Sequence, residues 1–146
     1  MARTAPTNET AVEVRRTVAA PRERVFHAWT RPEEVKKWAA PGAMTVPVAE
    51  IDLRVGGKFR IEMQRPTGEL HVAIGEYREV VPPRRLVYTW GWEDKSVTNS
   101  VVTVEFAERG SSTEVILRHE RLPDADARAR HAEGWNDCMD KLVALF

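Results

Sequence analysis

The sequence predicts an α+β fold in which a curved antiparallel sheet of about six or seven strands wraps around one long C-terminal helix. Three observations support this fold class. Residues 123–146 carry apolar side chains at helical spacing. Residues 44–121 alternate between apolar and polar side chains, with the period of two that strands show. After an opening strand, residues 21–42 show two short helical segments.

The length of the chain predicts a single domain. A chain of 146 residues buries roughly 70% of its unfolded surface, which is enough for one core. Residues 1–10 are polar, contain Pro6 and show no period. We therefore expect a flexible tail over residues 1–10, followed by one domain over residues 11–146.

Composition argues against several classes of partner. The 22 basic residues balance the 22 acidic ones and are scattered among them, which argues against a nucleic-acid groove and against an anionic membrane surface. The single cysteine cannot form an internal disulfide. No run reaches the roughly 20 apolar residues of a membrane span, and the N-terminus lacks the apolar core of a signal peptide. We expect a soluble, cytoplasmic protein.

The first elements follow from valine alternation and from one proline. Valines between residues 12 and 18 alternate, or nearly alternate, with polar residues and predict a strand with one wet face. Pro21 suits the first turn of a helix, in which Val25, Phe26 and Trp29 follow at helical spacing.

A second short helix is predicted directly after the first. Residues 30–33 match the capping-box pattern, with Thr30 as the capping residue. This helix would carry Val35 and Trp38 inward and end near Pro41–Gly42.

Six candidate strands follow. Turn residues separate several of them, including Gly56–Gly57, residues 66–68, Pro82–Pro83 and residues 109–111. Such short connections favour an antiparallel meander over parallel units, which need crossover helices. The candidate strands are residues 46–53, 58–64, 70–80, 85–92, 102–106 and 113–119.

One of these strands contains an irregularity. The alternation that begins at Leu70 loses its phase near Gly75, which predicts a β-bulge at that glycine. Glu76 and Tyr77 stand at the bulge, and we expect one of them to point inward as a polar group. The pattern leaves open which of the two it is.

The last element is one long helix from Pro123 to Phe146. Asp124 suits its N-cap, and no later proline interrupts it. Gly134 costs about 1 kcal/mol relative to alanine inside a helix, so we expect a strand or a ligand to pack closely against that turn. The apolar stripe comprises His131, Trp135, Cys138, Leu142 and Leu145, with Met139 and Phe146 beside it. The wet face comprises Asp126, Arg130, Glu133, Asp137 and Lys141.

Several motifs are typical of one superfamily. They are Ala20–Pro21, residues 25–30 (VFHAWT), Pro32–Glu33, residues 38–42 (WAAPG), 55–59 (VGGKF), 75–77 (GEY), 82–90 (PPRRLVYTW), 131–135 (HAEGW) and Leu142. In these motifs the chain resembles the helix-grip superfamily (START/Bet v 1-like, SRPBCC), which includes pollen allergens, lipid-transfer domains and polyketide cyclases. Within it, the chain most resembles the branch related to the C-terminal domain of the activator of Hsp90 ATPase. The resemblance runs from about residue 11 to the end.

The resemblance implies the helix-grip fold, but it leaves the activity open because members of the superfamily do many different things. It implies an Hsp90 homologue as one candidate partner. It also raises the question of a homodimer, since members are often dimers.

Several chemistries lack their sequence signatures. The histidines form no His-Glu-x-x-His motif, and one cysteine cannot supply a thiolate cluster, so we expect no metal site. No glycine-rich phosphate loop follows a strand, and no serine lies in a nucleophile elbow. We therefore expect no cofactor.

The candidate site lies in the space under the C-terminal helix. His119 ends an apolar inward row and His131 begins the helix stripe, so we place both near one mouth of a cavity. A histidine there can titrate near neutrality and act as acid, base or ligand contact; the alternative is a rim histidine bonded to backbone or water. The candidate ligand-binding residues are Trp38, Phe59, Met63, Tyr88, Trp90, His119, His131, Trp135 and Cys138.

Two further alternatives concern the same space. Cys138 either reacts through a thiolate or serves as a small apolar residue. The five tryptophans either line a cavity suited to flat or apolar molecules or fill it.

The leading interpretation is a protein that binds a small apolar or aromatic molecule in this cavity. One alternative is an enzyme of cyclase or hydrolase type that uses a cavity histidine. The other, which the resemblance implies, is a module associated with an Hsp90 homologue. We expect neither a nucleic acid nor a membrane as partner.

Overall fold

The fold is a curled, seven-stranded antiparallel sheet with three helices. The computed structural model describes residues 11–146, so the predicted tail over residues 1–10 lies outside the described residues. The elements are β1 (Val12–Val18), α1 (Arg22–Thr30), α2 (Pro32–Val35), β2 (Thr45–Ile51), β3 (Lys58–Gln64), β4 (Leu70–Val81), β5 (Arg85–Trp92), β6 (Ser100–Arg109), β7 (Ser112–Glu120) and α3 (Ala125–Ala144). The order of elements is the predicted one.

The sheet is a meander of β2 to β7, and the first strand is added at its edge beside β7. Its strand order is β1-β7-β6-β5-β4-β3-β2, and all six neighbouring pairs are antiparallel. β1 lies beside β7, with Val12 opposite His119 and Val18 opposite Thr113. The half-barrel formed in this way, with the long α3, confirms the predicted helix-grip fold.

Alternation along most strands predicts the inner face of the sheet correctly. On β3, Phe59, Ile61 and Met63 are buried while their neighbours are not. The inward rows of β5, β6 and β7 follow the same rule and form the core against α1 and α3. Strand β2 ends at Ile51, two residues before the predicted end.

Strand β4 turns its larger aliphatic side chains outward. Leu70 and Ile74 are 48% and 38% exposed, whereas Ala73 is fully buried. Directly opposite residues of an antiparallel pair share a face, and Ala73 is opposite the inward Ile61. The pairing with β3 therefore decides the face, against the hydrophobicity of residues 70–74, which favours the side of Leu70 and Ile74.

The predicted bulge at Gly75 is wrong. Gly75 pairs regularly with Phe59, and the register of β4 against β5 shifts later, between Tyr77 and Glu79. The reason for glycine is close packing: a Cβ at this position would lie 1.9 Å from the Thr89 carbonyl oxygen and 2.4 Å from the Phe59 ring. No larger residue fits without a shift of backbone.

The predicted capping box at the start of α2 is also wrong. Thr30 is the last residue of α1, and its buried hydroxyl donates to the Phe26 carbonyl at 2.9 Å. The N-cap of α2 is Arg31, and Pro32 occupies the first helical position. The tight connection between the helices leaves Thr30 inside α1.

Helix α3 begins as predicted but ends one residue before Leu145. The Asp124 carboxylate accepts from the Ala127 backbone N–H at 2.8 Å. Leu145, the C-cap residue, is 40% exposed, contrary to its place on the apolar stripe. Lys141, assigned to the wet face, instead donates to the Ala40 carbonyl at 2.6 Å and ties the helix to the segment after α2.

Within residues 11–146, no helix has the length and apolar character needed to cross a bilayer.

Candidate functional site

A cavity of about 370 Å³ lies between the inner face of the sheet and α3. Strands β2 to β5 form its floor, while α1, α2 and residues 38–41 form one wall. One side of α3 forms its roof. Its lining is mostly apolar, and its volume lies within the range of roughly 300–1,000 Å³ that small-molecule sites occupy.

The structure brings together eight of the nine candidate residues. His119 is the exception, because it does not line the cavity. The eight that line the cavity are Trp38, Phe59, Met63, Tyr88, Trp90, His131, Trp135 and Cys138.

The tryptophans form walls and leave space between them. Trp38 Nε1 donates to the Ala28 carbonyl at 2.8 Å, and the Trp38 ring packs on Trp29 at a centroid distance of 4.4 Å. Trp90 packs edge-on against Trp92 at 4.5 Å. With the rings held in these positions, a volume of about 370 Å³ between them remains open.

His119 does not line the cavity, which corrects its predicted place at the mouth. Its side chain is fully buried and packs against Trp90 and Trp135. Its Nδ1 accepts from Trp135 Nε1 at 3.0 Å, so we assign the ring proton to Nε2, 2.8 Å from Ser100 Oγ. The Ser100 hydroxyl in turn donates to the Trp90 carbonyl. Alternation correctly predicted that His119 lies on the inner face. It could not show that Trp135, from α3, packs against the imidazole ring.

His131 lines the cavity with both ring nitrogens already bonded. Nδ1 lies 2.6 Å from the Ala127 carbonyl and donates to it, which leaves Nε2 to accept from Trp92 Nε1 at 3.2 Å. The two histidine rings pack edge-on at 5.4 Å. Each imidazole thus accepts one indole N–H and keeps a single tautomer.

Both histidines are held in the neutral form. Burial, together with the nearby His131, lowers the pKa of His119 to about 3. Burial also lowers the pKa of His131, with a further contribution from the charge of Arg130, although the bond to Ala127 acts in the opposite direction. A general base works best with a pKa near the operating pH. This arrangement argues against proton transfer by a cavity histidine.

Cys138 has the properties of a small apolar residue. It is 5% exposed, and burial raises the pKa of its thiol to about 12. Reactive cysteines need a lowered pKa. The geometry therefore favours a packing role for Cys138 over the redox role.

Tyr77, and not Glu76, points into the cavity. Tyr77 is 4% exposed and lines the cavity beside Tyr88, whereas Glu76 lies on the outer face of β4. The two tyrosines are cross-strand partners, with ring centroids 5.7 Å apart. Together they place two phenol hydroxyls in an otherwise apolar region.

Charged and polar lining residues collect at the other end of the cavity. Arg65 Nε donates to His71 Nε2 at 3.0 Å. The Asp94 carboxylate accepts from the Ser96 backbone N–H at 2.8 Å, and hydrogen bonding to Ser96 lowers the pKa of Asp94. Arg130 approaches from α3. Because Arg65, Asp94 and Arg130 are exposed, the cavity opens to solvent at this end.

Gly134 lines the cavity, and no strand packs closely against it, which excludes the first of the two predicted reasons for this glycine. A Cβ at this position would meet only the Pro41 side chain, at 3.9 Å, which is an ordinary contact. Neither a strand nor another helix requires a glycine there. Its missing side chain instead leaves part of the roof open.

Some of the lining residues outside the candidate set could have been predicted from the sequence. Trp92 shares the inward row of Tyr88 and Trp90, so alternation already indicated it. Ala73 and His71 were not predicted, because the more apolar residues with which they alternate on β4 indicated the opposite face as the inner one. Residues 93–99 show no period, and only the fold brings Asp94 and Ser96 to the cavity. Among residues 11–146, no three His, Cys, Asp or Glu side chains are grouped so that they could hold a metal ion.

A family model and many solved structures match the chain. The family model, described as activator of Hsp90 ATPase homolog 1-like protein, matches residues 19–146. Protein CV1439 from Chromobacterium violaceum is 30% identical, with a TM-score of 0.86 over 93% of this chain and 96% of that chain. The SPO3351 protein from Silicibacter pomeroyi is 28% identical, with a TM-score of 0.81 over 92% and 96% of the two chains. Protein NE0264 from Nitrosomonas europaea is 26% identical, with a TM-score of 0.81 over 94% of each chain. No curated protein matches the sequence.

Proposed function

The chain belongs to the activator of Hsp90 ATPase homolog 1-like family of the helix-grip superfamily, and from that premise we propose that it binds a small apolar or aromatic molecule between the sheet and α3. One observation carries the proposal. All five tryptophans line the cavity, yet about 370 Å³ remains open. Protein interiors are close-packed, so side chains as large as tryptophan would be expected to fill a space that served no ligand.

The distribution of polarity also supports a bound molecule. Small-molecule sites combine an apolar wall with a few placed polar groups. Here the apolar wall lies between two tyrosine hydroxyls at one end and the charged opening at the other. A molecule with a flat or apolar body would contact the apolar wall and leave its polar groups near the tyrosines or the charged opening.

The experiment is a fluorescence titration with N-phenyl-1-naphthylamine, a neutral apolar probe that becomes brighter when it leaves water. We expect saturable binding to one site, with quenching of tryptophan emission because all five indoles line the cavity. Absence of saturable binding contradicts the proposal.

A blocking variant locates the bound probe. Gly134→Leu extends a side chain from the roof at a position where only Pro41 is near, and it improves the helix propensity of α3. We expect at least tenfold weaker binding of the probe. Glu133→Leu, one residue earlier on the exposed face of α3, is the matched control and should bind as the wild type does. Equal binding by Gly134→Leu would exclude the cavity as the site.

The description of the family supports a second candidate, association with an Hsp90 homologue. Such a partner would contact the outer surface of the domain. The outer face of β4 exposes Leu70 and Ile74, and it is the more apolar part of that strand. We expect the tagged chain to retain the cell's Hsp90 homologue and the Leu70→Ser/Ile74→Ser variant to lose it. The Gly134→Leu variant should retain it. Failure of the wild type to retain it removes this candidate.

A further inference from the structure

The inner end of the cavity holds two hydroxyl groups in apolar surroundings. Tyr77 and Tyr88 face each other across β4 and β5, and Phe59 packs against both rings at 5.9 and 5.3 Å. Tyr77 is 4% exposed and Tyr88 is 6% exposed. The fold thus places both phenols away from bulk water.

Neither hydroxyl donates its proton to a group in residues 11–146. The Tyr77 hydroxyl makes no hydrogen bond with any group in residues 11–146, although it lines the cavity. The Tyr88 oxygen accepts from Trp29 Nε1 at 3.4 Å, but its O–H donates to no group in the same part of the chain. The Tyr77 oxygen is not sealed from solvent, so its O–H, like that of Tyr88, is free to donate to an acceptor in the cavity.

Both phenols remain donors over the whole physiological pH range. Burial raises the pKa of both phenols. The hydrogen bond from Trp29 lowers the pKa of Tyr88, but this effect is smaller than that of burial. An acceptor that reaches either hydroxyl would therefore meet an un-ionised O–H group.

The inner end favours a neutral acceptor over an anion. Trp92, which is bonded to His131 at the charged end, lies four residues beyond Tyr88 on β5, about 13 Å along the strand. The charged lining residues Arg65, Asp94 and Arg130 belong to that far end. An anion beside the tyrosines would lose its hydration without a counter-ion, which is unfavourable.

We infer that Tyr77 and Tyr88 form a two-donor site for the carbonyl oxygen of an apolar or aromatic ligand, which enters the cavity with its carbonyl group innermost. This inference rests on the proposed function and narrows the ligand class to aromatic or alicyclic ketones and related carbonyl compounds. Because Trp29 donates to the Tyr88 oxygen, it polarises the Tyr88 O–H and strengthens the bond that this group donates.

The test compares two probes of the same shape. 2-Acetylnaphthalene carries a carbonyl where 2-isopropenylnaphthalene carries a C=CH₂ group. Each displaces N-phenyl-1-naphthylamine from the wild type, from Tyr77→Phe and from Tyr77→Phe/Tyr88→Phe, variants that change only hydroxyl groups. We expect the wild type to prefer the ketone about five- to tenfold. The preference should shrink in the single variant and vanish in the double variant, while the affinity for the hydrocarbon stays unchanged.

A spectroscopic readout separates hydrogen bonding from shape. The carbonyl stretch of bound 2-acetylnaphthalene should lie at lower frequency in the wild type than in the double variant. Equal affinities of the wild type for the two probes overturn the inference while leaving the proposed function intact, and so does a preference for the ketone that survives in the double variant. If N-phenyl-1-naphthylamine itself does not bind, the proposed function fails and this inference fails with it.

Discussion

The stability of the domain should fall steeply between pH 6.5 and pH 4.5 because His119 must stay neutral. Its Nδ1 accepts from Trp135 and its Nε2 proton is donated to Ser100, so a second proton would meet the indole N–H. The pKa of His119 is about 3 in the folded protein, against 6.5 for an ordinary histidine. Below pH 6.5 the unfolded chain therefore binds a proton that the folded chain does not.

The sign and size of the effect follow from proton linkage. Because folding lowers the pKa of His119, the contribution of this residue to the free energy of unfolding is fully present above pH 6.5. It is lost progressively as the pH falls toward 3. Each pH unit inside this window corresponds to roughly 1.4 kcal/mol. Lowering the pH from 7 to 4.5 covers two units of the window, so His119 alone removes about 2.5 kcal/mol from the free energy of unfolding. His131 adds to the loss in the same direction, since its pKa is lowered as well.

Urea unfolding at pH 7 and pH 4.5, followed by tryptophan fluorescence, measures the loss. His119→Gln keeps a donor near Ser100 but cannot titrate, so its loss of stability between the two pH values should be smaller than that of the wild type by about 2.5 kcal/mol. At pH 7 the variant should be less stable, because the Trp135 N–H loses its acceptor. His27→Gln, on the partly exposed side of α1, is the control and should show the wild-type loss. If His119→Gln loses as much stability as the wild type, the assignment of a neutral, buried His119 is wrong.

Three further predictions concern single positions. Gly134→Ala should raise the free energy of unfolding by about 1 kcal/mol in urea titrations, because the new Cβ only touches Pro41; a less stable variant would show that the helix needs the glycine. Gly75→Ala should lower the same quantity by at least about 2 kcal/mol, because its Cβ would lie 1.9 Å from the Thr89 carbonyl oxygen; wild-type stability would contradict this packing. Cys138 should be inert toward 5,5′-dithiobis(2-nitrobenzoate) at pH 8 until urea unfolds the chain, since burial raises the pKa of its thiol to about 12; rapid reaction of the folded protein would contradict this.

Local patterns in the sequence predicted the elements and most of the faces. The period of two placed Phe59, Ile61 and Met63 on the inner face of β3, where the structure has them. The N-cap preference of Asp124 located the start of α3. These signals succeed because they arise from neighbours within one strand or one helical turn.

Two of the errors share one physical cause, which is that a local pattern does not report what packs on top of a residue. The third error is local: Thr30 matched a capping box, but its hydroxyl donates to the Phe26 carbonyl four residues earlier, within the last turn of α1. Gly75 lost the alternation because of a backbone approach from β5 and not because of a bulge. His119 shared the correct face, but Trp135 and Ser100, from a helix and from another strand, bury it completely.

The amino-acid sequence by itself therefore determined the class of fold, the order of elements and the family, because periodicity, caps and turn residues are short-range properties. Only the tertiary structure decided that the five tryptophans leave a cavity, that both core histidines are engaged by indoles, and that the Tyr77 hydroxyl remains without a partner in the described chain. These features depend on distances between side chains from different strands and helices. Such distances are set by register and by helix docking, which no single segment specifies.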